Sequence, residues 1–127
     1  YFDYPIAITD MEKVYRFQPI PNEINEEEEK LIIGGECNLW SEGIHNEKEL
    51  DQKAFPRLLA MSEVLWRNPL ERNYDSFQKK VQDHYKILKN LNVNYGIEAP
   101  PINIKLLKVN NTYLAKVNSK VKGLTYE

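Results

Sequence analysis

Apolar side chains are grouped along the chain in two spacings, one typical of strands and one typical of helices. Leu31-Ile32-Ile33 opens an apolar segment that tightens at Gly34-Gly35, and we interpret residues 31–39 as a buried strand. Residues 1–8 predict a shorter strand and its exit, interrupted by Pro5. Because strands that are apolar throughout usually lie in parallel sheets covered by helices, these two segments indicate an α/β fold.

Two short helices are predicted between these strands by their capping residues. Thr9 and Glu12 have the spacing of a capping box, which indicates a helix that ends near Arg16. Asn25 precedes the acidic run Glu26–Glu29, and acidic side chains in a first turn suit the helix dipole. We therefore interpret this run as a capped and solvated helix start.

Two longer amphipathic helices follow the predicted buried strand. Residues 48–67 have helical periodicity, and Pro56 is expected to kink or restart that helix. Residues 74–91 form a second periodic stretch, whose intervening polar side chains are expected to meet water. Its apolar stripe consists of Phe77, Val81, Tyr85, Leu88 and Leu91. The order strand, helix, strand, long helix, helix is typical of βα units.

The last part of the chain has a different character. Pro100-Pro101 is a linker signal, and residues 102–127 alternate apolar and polar positions around a candidate turn at Asn110-Asn111. This pattern predicts two or three strands of an all-β module. We therefore divide the chain into an α/β part over residues 1–96, a linker over 97–101, and the start of a small β-rich module.

Length and charge limit what the chain can be. Its 127 residues carry a net charge of −2, which provides no electrostatic footprint for nucleic acid or for a membrane surface. No apolar run approaches the ~18 residues that indicate a membrane-spanning helix. The chain does not begin with Met and opens directly on a strand-like segment, so we expect it to be a piece of a longer protein. A complete (β/α)8 barrel needs about 250 residues, so at most its last two βα units are expected here.

The residue types that usually bind metals or form disulfides are sparse. Cys37 is the single cysteine, which excludes an internal disulfide, and its place on an apolar segment predicts an inert buried thiol. His45 and His84 are the only histidines and have no ligand-like spacing to other candidate ligands. We expect neither a metal site nor a cofactor from these residues.

Two aromatic–acid pairs are the strongest candidates for chemistry. Trp40 and Glu42 close the predicted buried strand, and Tyr1 and Asp3 open the chain with the same spacing. Residues two apart on a strand point to the same side, so each strand end is expected to present one ring and one carboxylate together. A ring covers the apolar face of a sugar while a carboxylate accepts from its hydroxyls, so this combination is typical of a sugar pocket.

Several motifs in one order carry a resemblance to a known family. They are Tyr1-Phe2-Asp3-Tyr4-Pro5, Glu12-Lys13-Val14-Tyr15 with Pro19-Ile20-Pro21, Ile33-Gly34-Gly35 with Asn38-Leu39-Trp40-Ser41-Glu42, Phe55-Pro56-Arg57-Leu58-Leu59-Ala60, Glu63-Val64-Leu65-Trp66, and Leu91-Asn92-Val93-Asn94-Tyr95. With these motifs, residues 1–95 resemble the C-terminal part of the catalytic barrel of β-N-acetylhexosaminidases, glycoside hydrolase family 20. The resemblance implies the last two βα units of a (β/α)8 TIM barrel, followed by the start of a small all-β module.

The resemblance also implies a reaction and a set of roles. Family members hydrolyse terminal β-linked N-acetylglucosamine or N-acetylgalactosamine with retention and without a cofactor, and the substrate's own acetamido oxygen attacks the anomeric carbon. Tyr1 matches the residue that orients the acetamido group, and Asp3 matches an acid that contacts a sugar hydroxyl. Trp40 matches a wall of the pocket, and Glu42 matches the carboxylate that binds the 3- and 4-hydroxyls. The family's Asp-Glu acid pair has no counterpart in this sequence, so the chain alone is expected to be inactive.

Other residues are expected to be structural. Trp66 lies on the apolar stripe of a helix and is predicted to belong to the core. Arg57 and Glu63 are predicted to form an ion pair on the same helix. Many family members carry a further Trp in the loop after the Tyr-x-Asp strand, and residues 4–21 contain none.

Three functions remain open from the sequence. The first is part of a hexosaminidase acting on glycans that end in an N-acetylhexosamine. The second is a non-catalytic glycan-binding or interaction module, and the third is a helical interaction domain without a role in sugar binding. The open strand edges of a partial barrel also predict that the isolated chain associates with itself or folds with other segments. The resemblance places relatives in the periplasm, at the cell surface, in secretions or in lysosomes.

Overall fold

A computed structural model describes residues 1–110 and 112–119. The helices are α1 (Met11–Tyr15), α2 (Glu26–Glu29), α3 (Glu47–Ala54), α4 (Arg57–Trp66) and α5 (Tyr74–Asn90). Single turns of 3-10 helix occupy Ser41–Gly43 and Pro69–Glu71, and two strands follow α5, β1 (Asn103–Val109) and β2 (Thr112–Asn118).

The helix starts are fixed by side chains that accept from backbone amides. Asn25 and Glu28 form the reciprocal capping box of α2, which confirms the predicted helix start. Helix α1 is also confirmed, but its cap is Asp10 rather than Thr9, because the Asp10 carboxylate accepts from the Lys13 amide at 2.8 Å. The sequence pattern therefore placed both helices correctly and misassigned one cap by a single residue.

The two longer predicted helices are confirmed, with one exception on the second. Helices α3 and α4 are separated at Pro56, so the proline restarts the predicted 48–67 helix. Helix α5 buries Phe77, Val81 and Leu88 from the predicted stripe, but Leu91 is 67% exposed just beyond the end of the helix. The stripe therefore ends where the helical backbone ends.

The core joins α1, α4 and α5 with the first residues of the chain. Its buried members are Phe2, Met11, Val14, Tyr15, Ala60, Met61, Phe77 and Val81. The Tyr15 and Phe77 rings stack at 4.8 Å between centroids, and Cys37 and Leu39 pack against the margin of the cluster. The predicted burial of the Cys37 thiol is thus only partial, and burial raises the pKa of this thiol above its usual value.

Neither of the two predicted N-terminal strands is formed. Among the described residues, the two segments share a single backbone hydrogen bond, from the Phe2 amide to the Asn38 carbonyl at 2.7 Å. A strand is defined by a ladder of bonds to a neighbour, and residues 31–34 have no such ladder in this part of the chain. Ile33 is fully exposed and Leu31 is 78% exposed, so an apolar run was mistaken for a buried strand.

Two predictions about helix α4 are wrong. Trp66 is 91% exposed rather than in the core. It is the last residue of α4, and the buried residues of that helix all precede it. Arg57 does not pair with Glu63, since the guanidinium turns toward the start of the chain and donates to backbone carbonyls. Glu63 instead pairs with Lys80 at 3.2 Å and with Arg67 at 3.5 Å.

The strands after the linker form an antiparallel hairpin. Val109 pairs with Thr112 next to the predicted turn, and Asn103 pairs with Asn118 at the open end. Asn110 has a positive φ of 55°, a conformation that Asn tolerates in tight turns. The remainder of the predicted module, residues 120–127, lies outside the described residues. The division into barrel part, linker and module stays a prediction.

None of the helices in the described part of the chain combines the length and apolar character that crossing a bilayer requires.

Candidate functional site

The two segments that carry the candidate residues lie side by side. The bond from the Phe2 amide to the Asn38 carbonyl, 2.7 Å long, fixes their relative position. Tyr1 and Asp3 flank one end of this bond, and Trp40 follows two residues after the other end. The structure therefore joins the two segments at Phe2 and Asn38, beside Tyr1 and Asp3 and two residues before Trp40.

Tyr1 is available to a ligand. Its side chain is 60% exposed and meets the Tyr4 ring edge to face, with 6.0 Å between centroids and an interplanar angle of 71°. Both rings line a cleft of about 590 Å³, which is large enough for a sugar residue. The remaining walls of this cleft come from Phe2, Ile8, Thr9, Lys13, Val14, Arg16, Phe17, Gln18, Glu36, Cys37 and Met61. Asp3, Trp40 and Glu42 are not in its walls.

Asp3 carries an acceptor that the described residues leave without a partner. The residue is partly buried, and its Oδ1 atom is buried with no hydrogen bond to any described residue. Buried carboxylate oxygens normally have a donor, so Oδ1 lacks the partner that such an atom usually has.

Arg57 holds the segment that bears Tyr1 and Asp3. Its Nη1 atom donates to the Tyr4 carbonyl at 3.2 Å and to the Thr9 carbonyl at 3.1 Å. Its Nη2 atom donates to the Phe2 and Lys53 carbonyls, and Nε donates to the Lys53 carbonyl at 3.0 Å. The side chain is buried, and its charged carbon lies 4.8 Å from the centre of the Phe2 ring. Burial lowers the pKa of this guanidinium, and the nearby Asp3 carboxylate opposes that shift.

Lys53 on helix α3 bonds the first candidate segment and lies near the turn that follows the second. Its Nζ atom donates to the Asp3 carbonyl at 3.2 Å. The same atom lies 3.9 Å from the position that a Cβ on Gly43 would occupy. One ammonium group therefore contacts the Tyr1–Asp3 segment and lies beside the turn that contains Glu42.

Trp40 and Glu42 are placed differently from the prediction. Trp40 has an extended backbone, with φ −84° and ψ 134°, and its side chain is 56% exposed. Glu42 is exposed and lies within the 3-10 turn Ser41–Gly43 rather than on a strand. The argument from strand spacing therefore does not apply to this pair, because the backbone changes direction between the two residues.

A second cleft, of about 500 Å³, lies between α4 and α5. Its walls are Leu59, Ser62, Glu63, Trp66, Arg67, Phe77, Lys80 and His84. Glu63 pairs with Lys80 across this cleft and with Arg67 along α4, so its carboxylate is already partnered. In the described residues no group of His, Cys, Asp and Glu side chains is arranged to hold a metal ion.

Sequence reasoning missed the roles of Arg57 and Lys53 in holding the site. The available signal was a cation inside the apolar run 55–60, where a charge needs buried partners. Lys53 and Arg57 are four residues apart but lie on either side of Pro56, where the helix is interrupted. Helical periodicity alone therefore did not indicate that both side chains contact the same segment.

Comparison with known proteins agrees with the motifs. Residues 2–69 match the family model described as glycosyl hydrolase family 20, catalytic domain. This range includes Asp3, Trp40 and Glu42, and Tyr1 lies one residue before it. A β-hexosaminidase of Porphyromonas gingivalis is 29% identical over 99 residues, which cover 76% of this chain and 13% of that protein.

Two other proteins of this kind are also similar to the chain. The β-hexosaminidase subunit B2 of Dictyostelium discoideum is 36% identical over 103 residues, covering 81% of this chain and 17% of that protein. The solved structure of a Vibrio harveyi family 20 exo-β-N-acetylglucosaminidase, in complex with N-acetylglucosamine, matches with a TM-score of 0.59 and 28% identity. That match covers 69% of this chain and 14% of the Vibrio chain, so this chain spans less than a fifth of each of these relatives. The family match over more than half of its residues shows that the chain belongs to glycosyl hydrolase family 20.

Proposed function

We propose that this chain provides part of the sugar site of an exo-β-N-acetylhexosaminidase, which hydrolyses terminal β-linked N-acetylglucosamine or N-acetylgalactosamine. The observation that carries the proposal is the family match over residues 2–69, which includes three of the four candidate site residues. The contact between Phe2 and Asn38 supports it, because this contact brings the two candidate segments to one place. The partner is therefore a glycan or glycoconjugate with an N-acetylhexosamine at its end.

The four candidate residues have separate roles in this reaction. Tyr1 donates to the acetamido oxygen and holds it against the anomeric carbon, which favours the charge that develops on that group. Asp3 accepts from a sugar hydroxyl through its unpartnered Oδ1 atom. Trp40 covers the sugar face and the acetamido methyl group, and Glu42 accepts from the 3- and 4-hydroxyls.

In the whole protein, residues 1–96 form the last two βα units of a (β/α)8 barrel. Residues 97–101 are then a linker into a β-rich module that begins with the hairpin of β1 and β2. The segments of residues 1–3 and 31–39 become neighbouring strands of the barrel, and the Phe2–Asn38 bond is part of their pairing. The candidate residues then lie at the carboxyl ends of these strands, where such barrels build their active sites.

The 127 residues alone are inactive in this proposal. The retaining reaction needs a carboxylic acid to protonate the leaving oxygen, and the family's adjacent Asp-Glu pair does not occur in this sequence. The isolated chain also exposes large apolar side chains, including Ile33, Trp66 and Leu70. We therefore expect it to associate with itself, and sedimentation would detect this association. The whole protein acts in the periplasm, at the cell surface, in secretions or in lysosomes.

The decisive experiment measures hydrolysis of a chromogenic aryl N-acetyl-β-glucosaminide by the whole protein and by its Glu42→Gln variant. A carboxylate–hydroxyl bond contributes about 1.5–3 kcal/mol, so the substitution is expected to lower kcat/KM about 10- to 100-fold. The matched control is Glu47→Gln, which changes an exposed carboxylate at the start of α3. It is expected to leave kcat/KM unchanged.

Equal activity of the Glu42→Gln and wild-type proteins would overturn the assigned role of Glu42. Binding of N-acetylglucosamine without any turnover would instead favour a non-catalytic glycan-binding module. Absence of both binding and turnover would overturn the proposed function.

A further inference from the structure

We propose that Arg57 is the positioning residue of this sugar site: its guanidinium holds the Tyr1–Asp3 segment by the backbone and leaves the Asp3 carboxylate free for a sugar hydroxyl. The inference rests on the proposed function for its consequence in catalysis. Its structural part depends only on contacts within the chain.

All the hydrogen-bond donors of Arg57 are used within the chain. An arginine has one N–H on Nε and two on each terminal nitrogen. In this chain Nε donates to Lys53, Nη1 to Tyr4 and Thr9, and Nη2 to Phe2 and Lys53, in each case to the backbone carbonyl. Every donor of the guanidinium therefore has a backbone acceptor.

The Asp3 carboxylate lies near this cation without a hydrogen bond to it. Asp3 is close enough to Arg57 to oppose the lowering of the guanidinium pKa, yet Oδ1 of Asp3 accepts no bond from any described residue. A buried arginine beside a carboxylate usually forms a bidentate pair with it. Here the backbone carbonyls occupy the donors, so Oδ1 of Asp3 is left without a bond from the guanidinium.

The hydrogen bonds of Arg57 and Lys53 fix the position of the first segment of the chain. Arg57 donates to the carbonyls of Phe2, Tyr4 and Thr9, and these hydrogen bonds hold the loop that follows Asp3. Lys53 adds a bond to the Asp3 carbonyl and lies beside the turn that contains Glu42. The two cations, which we call the carbonyl clamp, therefore orient Tyr1 and Asp3 through bonds to backbone carbonyls.

Lysine is expected to be a poor substitute at position 57. A lysine ammonium is a compact point charge with three donors, whereas the planar guanidinium reaches several carbonyls in fixed directions. Arg57→Lys therefore keeps the positive charge and loses part of the hydrogen-bond geometry. Its effect on kcat separates the contribution of the charge from the contribution of the geometry.

The first arm of the test measures kcat and KM of the whole protein with the aryl N-acetyl-β-glucosaminide, below the melting temperature of every variant. A misplacement of about 1 Å can lower turnover about 100-fold, so Arg57→Met is expected to lower kcat about 100-fold and Arg57→Lys at least about 10-fold. Lys53→Met is expected to have a smaller effect in the same direction. Added guanidinium ion is expected to restore part of kcat to an Arg57→Ala variant, which a role in overall stability alone would not produce.

The matched control is Arg67→Met. Arg67 also donates to a backbone carbonyl, that of Glu71 at 3.2 Å, but among the described residues it bonds neither the Tyr1–Asp3 segment nor a wall of the Tyr1 cleft. This control is expected to keep kcat within about threefold of the wild-type value, the effect expected of a distant substitution.

The second arm is independent of activity and measures hydrogen exchange in peptides that cover residues 1–9. Arg57→Lys is expected to speed exchange of the Phe2 amide at least about tenfold while the amides of α5 exchange as in the wild type. Unchanged exchange at Phe2 in Arg57→Lys, or wild-type kcat in both Arg57→Lys and Lys53→Met, would overturn the carbonyl clamp. If the wild-type protein lacks hydrolysis, the proposed function fails and the exchange arm still decides the clamp. If Arg57→Met does not fold, Arg57→Lys decides it.

Discussion

Residues 1–8 and residues 31–39 look alike in sequence, since each predicted strand has an aromatic ring and an acid two residues apart at or just beyond one end, but their structures differ. The first segment buries Phe2 to 4% exposure and is held by the carbonyl clamp of Arg57 and Lys53. The second exposes Ile33 completely and, apart from Ile32, becomes partly buried only from Cys37 onward. The difference shows that side chains from neighbouring helices can fix a segment for which no strand ladder is formed.

The largest expected effect compares one apolar truncation in each segment. Phe2→Ala removes a buried ring from the core and from the face of Arg57, so the free energy of unfolding is expected to fall by about 3–5 kcal/mol. Ile33→Ala removes an exposed side chain and is expected to change it by no more than about 0.5 kcal/mol. Urea unfolding of the 127-residue chain measures both values, because the barrel proposed for the whole protein would cover Ile33. Similar losses in the two variants would contradict the exposure of Ile33 in this chain.

A smaller effect locates the point at which the second segment begins to pack. A Cβ at Gly35 would lie 3.1 Å from Leu65 Cδ2 and 3.2 Å from Met61 Cε, which are mobile ends of side chains. Gly35→Ala is therefore expected to lower the free energy of unfolding by about 1 kcal/mol, the lower end of the cost of overpacking.

The control for this substitution is Gly43→Ala. Its new Cβ would meet only Lys53 Nζ, at an ordinary contact distance of 3.9 Å, so a change within about 0.5 kcal/mol is expected. If both glycine variants unfold like the wild type, residues 35–39 do not pack on α4 as described.

The smallest effect concerns the reactivity of Cys37. Burial raises the pKa of this thiol, so less thiolate is present near neutral pH than in a free cysteine. The linked contribution to stability is fully present below the pH at which an unfolded thiol ionises and is lost as the pH rises through the folded pKa. Alkylation by iodoacetamide is therefore expected to be slower than that of free cysteine at pH 8 and to reach its plateau at a higher pH. A pH profile like that of free cysteine would contradict the packing of Cys37 against the core.

The sequence predicted the helices well and the strands poorly, for a physical reason. The capping box of Asn25 and Glu28, the stop at Pro56 and the apolar stripe of α5 are all set by residues within a few turns of one another. The ladder expected for residues 31–39 depends on partners elsewhere in the chain, which an apolar run cannot specify. The hairpin of β1 and β2 was predictable because its turn brings its partners together.

The candidate site was predicted in its residues but only partly in its geometry. The motifs that include Asp3, Trp40 and Glu42 led to the family to which the chain belongs. Their relative placement depended on the Phe2–Asn38 contact and on the direction of Arg57, which the helical pattern assigned to an ion pair with Glu63. A buried cation has several ways to satisfy its donors, and only tertiary structure selects among them.

The most direct test of the central claim is a crystal structure of the whole protein with N-acetylglucosamine bound. The account predicts one sugar at the junction of the two segments, with Tyr1, Asp3 and Glu42 at hydrogen-bond distances of about 2.5–3.2 Å and the Trp40 ring against its apolar face. A sugar bound elsewhere, or at this junction without contacts to residues from both segments, would contradict the account.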